Sequence, residues 1–143
     1  MIPYVPDAEL VRRHQALFEL LPERSALLLL GNDIRFRNRD VEYPFRQESS
    51  FWYFSRFNEP GAAFLFVKTG TDVISIVFSR EYNRDREIWS GSFVGPKEAK
   101  KITLAREAFS IDQLPDLLRK HLGGSSLLYF DPARVRSSGA VKK

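Results

Sequence analysis

Two apolar segments joined by a short turn constrain the fold of this chain more than any other feature. Residues 62–68 read A-A-F-L-F-V-K, and residues 73–79 read V-I-S-I-V-F-S. The connection between them, T-G-T-D at residues 69–72, carries the kind of glycine that hairpin turns favour. The pattern predicts two antiparallel β-strands, Ala62–Lys68 and Val73–Ser79.

The segments before this hairpin predict a helix and a strand. Leucines at helical spacing indicate an amphipathic helix from Asp7 to Leu21, with Asp7 as its N-cap and Pro22 ending it. The leucine run of Ser25–Leu30 is typical of a strand that is buried on both faces.

Three further elements are predicted after the hairpin. Gly95 and Pro96 open a short helix that runs to Ile102. Residues 110–113, S-I-D-Q, fit a capping box in front of a second helix, although Pro115 offers a competing start for it. Residues 125–130, S-S-L-L-Y-F, predict a final strand. The resulting order is α-β, an aromatic segment, then β-β-α-α-β. This order predicts one α/β domain, in which a mixed β-sheet is flanked by helices.

The aromatic segment, Tyr43–Pro60, lies between the first predicted strand and the hairpin. Four of its aromatics are consecutive, so neither the helical period nor the strand period explains them. Seven aromatic side chains bury on the order of 1,200 Å², which exceeds the roughly 800 Å² that one partner contributes to a standard interface. The seven are Tyr43, Phe45, Phe51, Trp52, Tyr53, Phe54 and Phe57.

We expect the aromatic segment to be divided between core and surface. Ser49 or Ser50 is positioned to cap a short helical turn. Some of the residues in 51–57 should pack under the hairpin. The rest of the segment should face a partner.

Composition excludes several classes of protein. There is no cysteine, so disulfides and thiolate metal sites are excluded, and a cytoplasmic location is favoured. No apolar run approaches the ~20 residues that span a bilayer, and the N-terminus lacks the basic and apolar regions of a signal peptide. The net charge of +4, from 22 basic and 18 acidic residues, is too small to indicate a nucleic-acid partner by itself.

The sequence lacks the common motifs of catalysis. It contains no glycine-rich phosphate loop, no H-E-x-x-H, no G-x-S-x-G and no cysteine nucleophile. His14 lies on the apolar face of its predicted helix, which is typical of a packing histidine, and His121 in a last turn complements the helix dipole. We therefore predict no catalytic residue and no metal ligand in this chain.

Arginines among aromatics leave a binding function open. Ile34–Arg39 alternates arginine with other residues, including an aromatic, and such a mixture can grip phosphate. Acidic residues on both sides favour a solvated loop with ion pairs instead. The alternative interpretation of the chain is a stand-alone module that binds a protein or single-stranded nucleic acid.

The aromatic segment also carries a family resemblance. Its run Y-P-F-R-Q-E-S-S-F-W-Y-F-S-R-F-N-E-P resembles the signature of the N-terminal domain of the Xaa-Pro aminopeptidases (aminopeptidase P, creatinase/prolidase N-terminal domain family). Other features agree in order: R-R-x-Q-A-L at Arg12–Leu17, the hairpin, and E-I-W-x-G at Glu87–Gly91. The likeness covers nearly the whole chain.

The resemblance implies a fold and a parent enzyme. The fold is that of the aminopeptidase P N-terminal domain, with a ribonuclease H-like layout. Residues 1–143 would form this single, non-catalytic domain, slightly short at its C-terminal end. The parent enzyme is a metallopeptidase that removes an N-terminal residue preceding proline. Its two manganese ions are held in a C-terminal pita-bread domain that this chain lacks, so no catalytic or metal-binding residue is carried over.

The resemblance further implies partners and site residues. The partners are the chain's own C-terminal catalytic domain, other copies in a homo-oligomer (dimer or tetramer), and peptides with proline at the second position. Neither membrane nor nucleic acid is expected. Trp89 is implied to approach the substrate entrance. The candidates for assembly contacts are Tyr43, Phe45, Arg46, Gln47, Asn58, Glu59 and Pro60.

Overall fold

The computed structural model describes residues 4–33, 45–70, 72–81, 93–123 and 127–132. Within these ranges the helices are α1 (Asp7–Leu20), α2 (Ser49–Ser55), α3 (Gly95–Thr103) and α4 (Leu114–Leu122), with a 3₁₀ turn at Ile111–Gln113 before α4. The strands are β1 (Ser25–Leu30), β2 (Ala63–Thr69), β3 (Asp72–Ser79), β4 (Glu107–Ser110) and β5 (Leu127–Tyr129).

The strands form one mixed sheet in the order β4-β3-β2-β1-β5. Strand β2 is antiparallel to β1 and to β3, whereas the outer strands β4 and β5 run parallel to β3 and β1. The hairpin closes at the pair Thr69↔Asp72, as its turn sequence predicts. The predicted α/β class, a mixed sheet flanked by helices, is confirmed.

Both faces of the sheet are covered. On one face Phe64 and Phe66 pack with side chains of α1, α2 and α3, and on the other face Leu65 packs with side chains of α4. Strand β1 alternates in the same way, because Leu28 belongs to the α4 face and Leu29 to the opposite one. Burial on both faces explains why these strands are apolar throughout, and it confirms the prediction for β1.

Helix α1 begins at Asp7, as predicted, but its N-cap is not the predicted residue. Pro6 occupies the N-cap position with extended backbone, and its carbonyl accepts the N–H of Leu10 at 3.1 Å. Asp7 is the first helical residue and provides no capping bond. The prediction that Asp7 is the N-cap is therefore wrong, because its carboxylate is drawn to the guanidinium of Arg56 instead.

Helix α2 is capped by a different residue from the two that were predicted. Glu48 is the N-cap, and its Oε1 accepts the N–H of Phe51 at 2.8 Å. Ser49 and Ser50 are the first helical residues. A carboxylate at this position also complements the positive end of the helix dipole.

Strand β4 is missing from the sequence prediction. Its four residues, E-A-F-S, carry no clear alternation, and its strand geometry depends on parallel pairing with β3, where Ile76 faces Glu107. The capping box that follows is confirmed: Ser110 Oγ accepts the N–H of Asp112, and Gln113 Oε1 accepts the N–H of Ser110, both at 3.3 Å.

Candidate functional site

Several segments meet at one end of the sheet, which we call the turn end. Because both β1 and β3 are antiparallel to β2, the end of β1, the start of β2 and the end of β3 are adjacent, with Leu30 opposite Ala63 and Ala63 opposite Phe78. The chain segments next to these strand ends, and the segments that are hydrogen-bonded to them, lie side by side. They are residues 31–33, 45–47, 58–62, 80–81 and 93–94.

Gln47 joins three of these segments through its side-chain amide. Its Oε1 accepts the backbone N–H groups of Asn32 at 2.8 Å and of Glu48 at 3.0 Å. Its Nε2 donates to the carbonyls of Phe57 at 3.0 Å and of Glu59 at 2.9 Å. The residue is only 8% exposed. These bonds give Gln47 a structural role, and its role in assembly stays a prediction.

Part of the aromatic segment belongs to the core. Phe51 and Phe57 are buried in the cluster that contains Phe64 and Phe66 of the hairpin. This confirms that part of residues 51–57 packs under the hairpin. Tyr53, two positions along the helix from Phe51, is exposed instead.

Arg56 ties the end of α2 to two other helices. Its guanidinium donates from Nε to the carbonyl of Ile102 and from Nη1 to the carbonyl of Val5, each at 2.6 Å. Its Nη2 pairs with Asp7 Oδ1, also at 2.6 Å. The side chain is 15% exposed, so the charge is compensated by three acceptors from the start of α1 and the last turns of α3.

His14 connects α1 to α2. Its Nε2 donates to the carbonyl of Phe54 at 2.7 Å, and its ring stands edge-on to Phe64 and Phe66. The predicted packing histidine is confirmed. Burial lowers the pKa of His14, and the charge of Arg56 acts in the same direction, while the bond to Phe54 opposes them.

The lowered pKa of His14 predicts a loss of stability in mild acid. The unfolded chain binds a proton at the ordinary histidine pKa of about 6.5, whereas the folded domain binds it only at lower pH. The contribution of His14 to stability is therefore complete above that value and falls below it, by at most about 1.4 kcal/mol per pH unit.

Thermal melting at about pH 7.5 and about pH 5.5 measures this loss. His14→Gln keeps a donor for the carbonyl of Phe54 but cannot titrate, so its melting temperature should fall less over the same interval. An equal fall in both proteins would contradict the assignment.

The exposed ring of Tyr53 is covered by an arginine of α1. The Arg13 guanidinium lies 4.1 Å from the ring centroid, and its Nη1 donates to the carbonyl of Tyr53 at 2.8 Å. Glu9 binds both Arg12 and Arg13, at 2.7 and 2.9 Å. The hydrogen bond from Arg12, and to a smaller extent the one from Arg13, lowers the pKa of Glu9 to about 2. The exposed side of α2 at Tyr53 is thus covered by charged side chains of α1 that pair with one another.

Glu59 is a half-buried carboxylate at the turn end. Its Oε2 accepts the N–H of Val94, immediately before α3, at 2.9 Å. Within the described part of the chain its other oxygen, Oε1, is buried and has no hydrogen-bond partner. Burial raises the pKa of Glu59, against the opposing effects of the Val94 bond and the charge of Arg80.

Arg80 contacts three features of the turn end. Its Nη2 pairs with Asp33 Oδ1 at 2.7 Å, and its guanidinium lies 5.2 Å from the centroid of the buried Phe93 ring. It also packs over Gly61, where an added β-carbon would come within 2.5 Å of Arg80 Nε. Gly61 has a φ of +69°, a region that favours glycine.

Gly61→Ala is expected to destabilise the domain more than Gly70→Ala. Both glycines have positive φ, so each substitution strains the backbone by about 1–2 kcal/mol. At Gly61 the new methyl group also meets Arg80, whereas at Gly70 no described atom lies within 4 Å of it. We expect the two losses to differ by about 0.5–1 kcal/mol in urea denaturation, because the displaced Arg80 guanidinium gives up its pair with Asp33. Equal losses would contradict the packing of Arg80 on this turn.

The described assembly candidates differ in exposure. Arg46 and Asn58 are exposed, whereas Phe45 and Pro60 are half-buried. Exposure at the two polar positions is compatible with contacts to another domain or subunit, and these roles stay predictions. Glu59, half-buried beside them, already bonds within the domain.

Two of the candidate residues lie outside the described residues. These are Tyr43 and Trp89, and the arginine-rich stretch Ile34–Arg39 lies outside them as well. Their proposed roles in assembly, substrate entry and phosphate binding stay predictions.

The sequence prediction missed the positioning roles of Arg56, Arg80 and Phe93. Each acts through partners far away in the chain, such as Val5 for Arg56 and Asp33 for Arg80, and a local pattern holds no signal for such pairs. The sequence offered one signal for Arg56, its position inside the aromatic segment, because a guanidinium that becomes buried there requires hydrogen-bond acceptors.

Cavities lie beside the sheet and at the turn end, whereas no cluster of metal ligands is found among the described residues. One cavity of about 460 Å³ lies beside β1 and the end of β5, and one of about 210 Å³ lies at the turn end, beside Asp33 and Arg80. Among the described residues, no three His, Cys, Asp or Glu side chains lie together in a way that could hold a metal ion. No helix in the described ranges is long and apolar enough to cross a membrane.

Comparison with known proteins identifies the family. The family model "Aminopeptidase P, N-terminal domain" matches residues 10–129, from α1 to the end of β5. This chain belongs to the aminopeptidase P N-terminal domain family. The resemblance seen in the aromatic segment is confirmed.

Curated relatives of this aminopeptidase P N-terminal domain are longer proteins. The Xaa-Pro aminopeptidase of Haemophilus influenzae is 38% identical over 128 residues, which are 90% of this chain and 30% of that protein. The Xaa-Pro aminopeptidase of Escherichia coli is 35% identical over 122 residues, 85% of this chain and 28% of that protein. Intermediate cleaving peptidase 55 of Saccharomyces cerevisiae is 31% identical over 134 residues, 92% of this chain and 26% of that protein. The chain thus spans less than a third of each of these relatives.

Solved structures of aminopeptidase P contain the same fold. The low-pH form of E. coli aminopeptidase P matches with a TM-score of 0.86 at 31% identity, over 95% of this chain and 33% of that one. The E. coli enzyme with the inhibitor Pro-Leu matches with a TM-score of 0.83 at 34% identity, over 89% of this chain and 29% of that one. These matches confirm the predicted aminopeptidase P N-terminal fold.

Proposed function

We propose that this chain acts as the non-catalytic N-terminal domain of a manganese-dependent Xaa-Pro aminopeptidase, which releases an N-terminal residue preceding proline. The observation that carries the proposal is the unequal extent of the match to the H. influenzae relative. The aligned region is 90% of this chain but only 30% of that protein. In such an enzyme the catalytic groups would belong to the remaining length.

Within that enzyme the domain contributes to oligomer assembly, as a dimer or tetramer, and shapes the active-site entrance. The turn end supports this role, because Arg46 and Asn58 are exposed on backbone that the Gln47 amide holds on both sides. A surface whose backbone is already fixed loses less conformational entropy when it docks.

The metal and the substrate belong to the same proposal. Two manganese ions would be bound in the C-terminal catalytic domain, which is the direct partner of this one, and the substrates would be peptides with proline at the second position. The described residues of this chain offer no ligand cluster, so no step of the reaction is assigned to them. A cytoplasmic location, predicted from the sequence, completes the proposal.

The reading frame that encodes this chain tests the proposal. We expect it to continue beyond Lys143 and to encode a second domain with the family's Asp, Asp, His, Glu and Glu metal ligands. A stop codon directly after Lys143 would contradict the assignment to a complete enzyme.

Trp89→Ala in the longer protein is expected to lower the turnover of Xaa-Pro peptides by about tenfold, the effect of losing one apolar substrate contact. An aromatic face suits a prolyl ring, and a residue at the entrance contributes little to folding. The melting temperature of the domain should therefore stay unchanged. A sharp drop in melting temperature, with normal turnover per folded molecule, would show that Trp89 is a core residue instead.

The alternative, a module for protein or single-stranded nucleic acid, gains no support from the described residues. Arg56 is bound by three acceptors, and Phe51 and Phe57 are buried, so none of the three is available to phosphates or bases. Binding to single-stranded DNA that weakens steeply with salt would revive this alternative. Absence of binding at low salt would remove it.

A further inference from the structure

We draw no further inference here: the strongest candidate, the apolar cavity beside β1 together with the exposed Leu127, Tyr129 and Phe130 at the edge of β5, carries nothing because no part of the chain that the structure describes shows what covers it.

Discussion

Gln47→Ala is expected to lower the free energy of unfolding by about 3 kcal/mol or more. The substitution removes four hydrogen bonds at once, from the N–H groups of Asn32 and Glu48 and to the carbonyls of Phe57 and Glu59. These groups belong to three chain segments that the Gln47 side chain joins. Urea denaturation followed by circular dichroism measures the loss.

Two variants isolate the hydrogen bonds of Gln47. Gln15→Ala is the matched control, because Gln15 is exposed on α1 and its loss should stay within about 0.5 kcal/mol. Gln47→Glu keeps the shape of the side chain but turns an oxygen towards the carbonyls of Phe57 and Glu59, so at neutral pH it should destabilise at least as much as Gln47→Ala. A loss below about 1 kcal/mol for Gln47→Ala would contradict the structural role of this amide.

Arg56→Ala should have an effect of similar size, about 3 kcal/mol or more. The guanidinium holds the carbonyls of Val5 and Ile102 and the carboxylate of Asp7, and hydrogen bonds from a charged donor are stronger than neutral ones. Removing it separates the end of α2 from the start of α1 and from α3. The loss is measured as a shift of the urea midpoint at constant slope.

Arg56→Lys keeps the positive charge, but it is not a conservative change because the planar guanidinium is lost. A lysine ammonium cannot reach three acceptors arranged around a planar fork, so Arg56→Lys should keep less than half of the stabilisation. Arg119→Ala serves as control, since Arg119 is exposed and pairs with the exposed Asp116 on its own helix. Full stability of Arg56→Lys would show that charge alone suffices.

The central strands could be predicted because burial on both faces makes them apolar at every position. The leucines of β1 and the phenylalanines of β2 are visible in a window of a few residues, and the turn between β2 and β3 carries its own glycine. Strand β4 gives no such signal, because it is short and partly buried, and it becomes a strand only by pairing with β3 about thirty residues earlier.

The aromatic segment shows where sequence reasoning ends. Its composition predicts that part of it enters the core, but not which rings. The choice is made by α2, which turns Phe51 inward and Tyr53 outward, and by the left-handed backbone of Arg56, which directs Phe57 back under the hairpin. Arginine rarely adopts that conformation, so no pattern in the sequence predicts the turn.

The polar residues of the turn end show the same limit for the site. Gln47 and Glu59 stand beside aromatics and a turn, which favours an interface when only the sequence is considered. In the structure both serve backbone groups of segments that come together only after the sheet has formed. The motif around them was nevertheless sufficient to indicate the family, which the match over residues 10–129 confirms.

Hydrolysis of a proline peptide tests the proposed function most directly. The protein encoded by the complete reading frame is assayed on a tripeptide with proline at the second position and on the matching tripeptide with alanine there. We expect release of the N-terminal residue from the proline peptide alone, loss of activity on chelation, recovery with manganese, and no turnover by the 143-residue chain by itself. Turnover by this chain alone, or none by the manganese-loaded longer protein, would contradict the proposal.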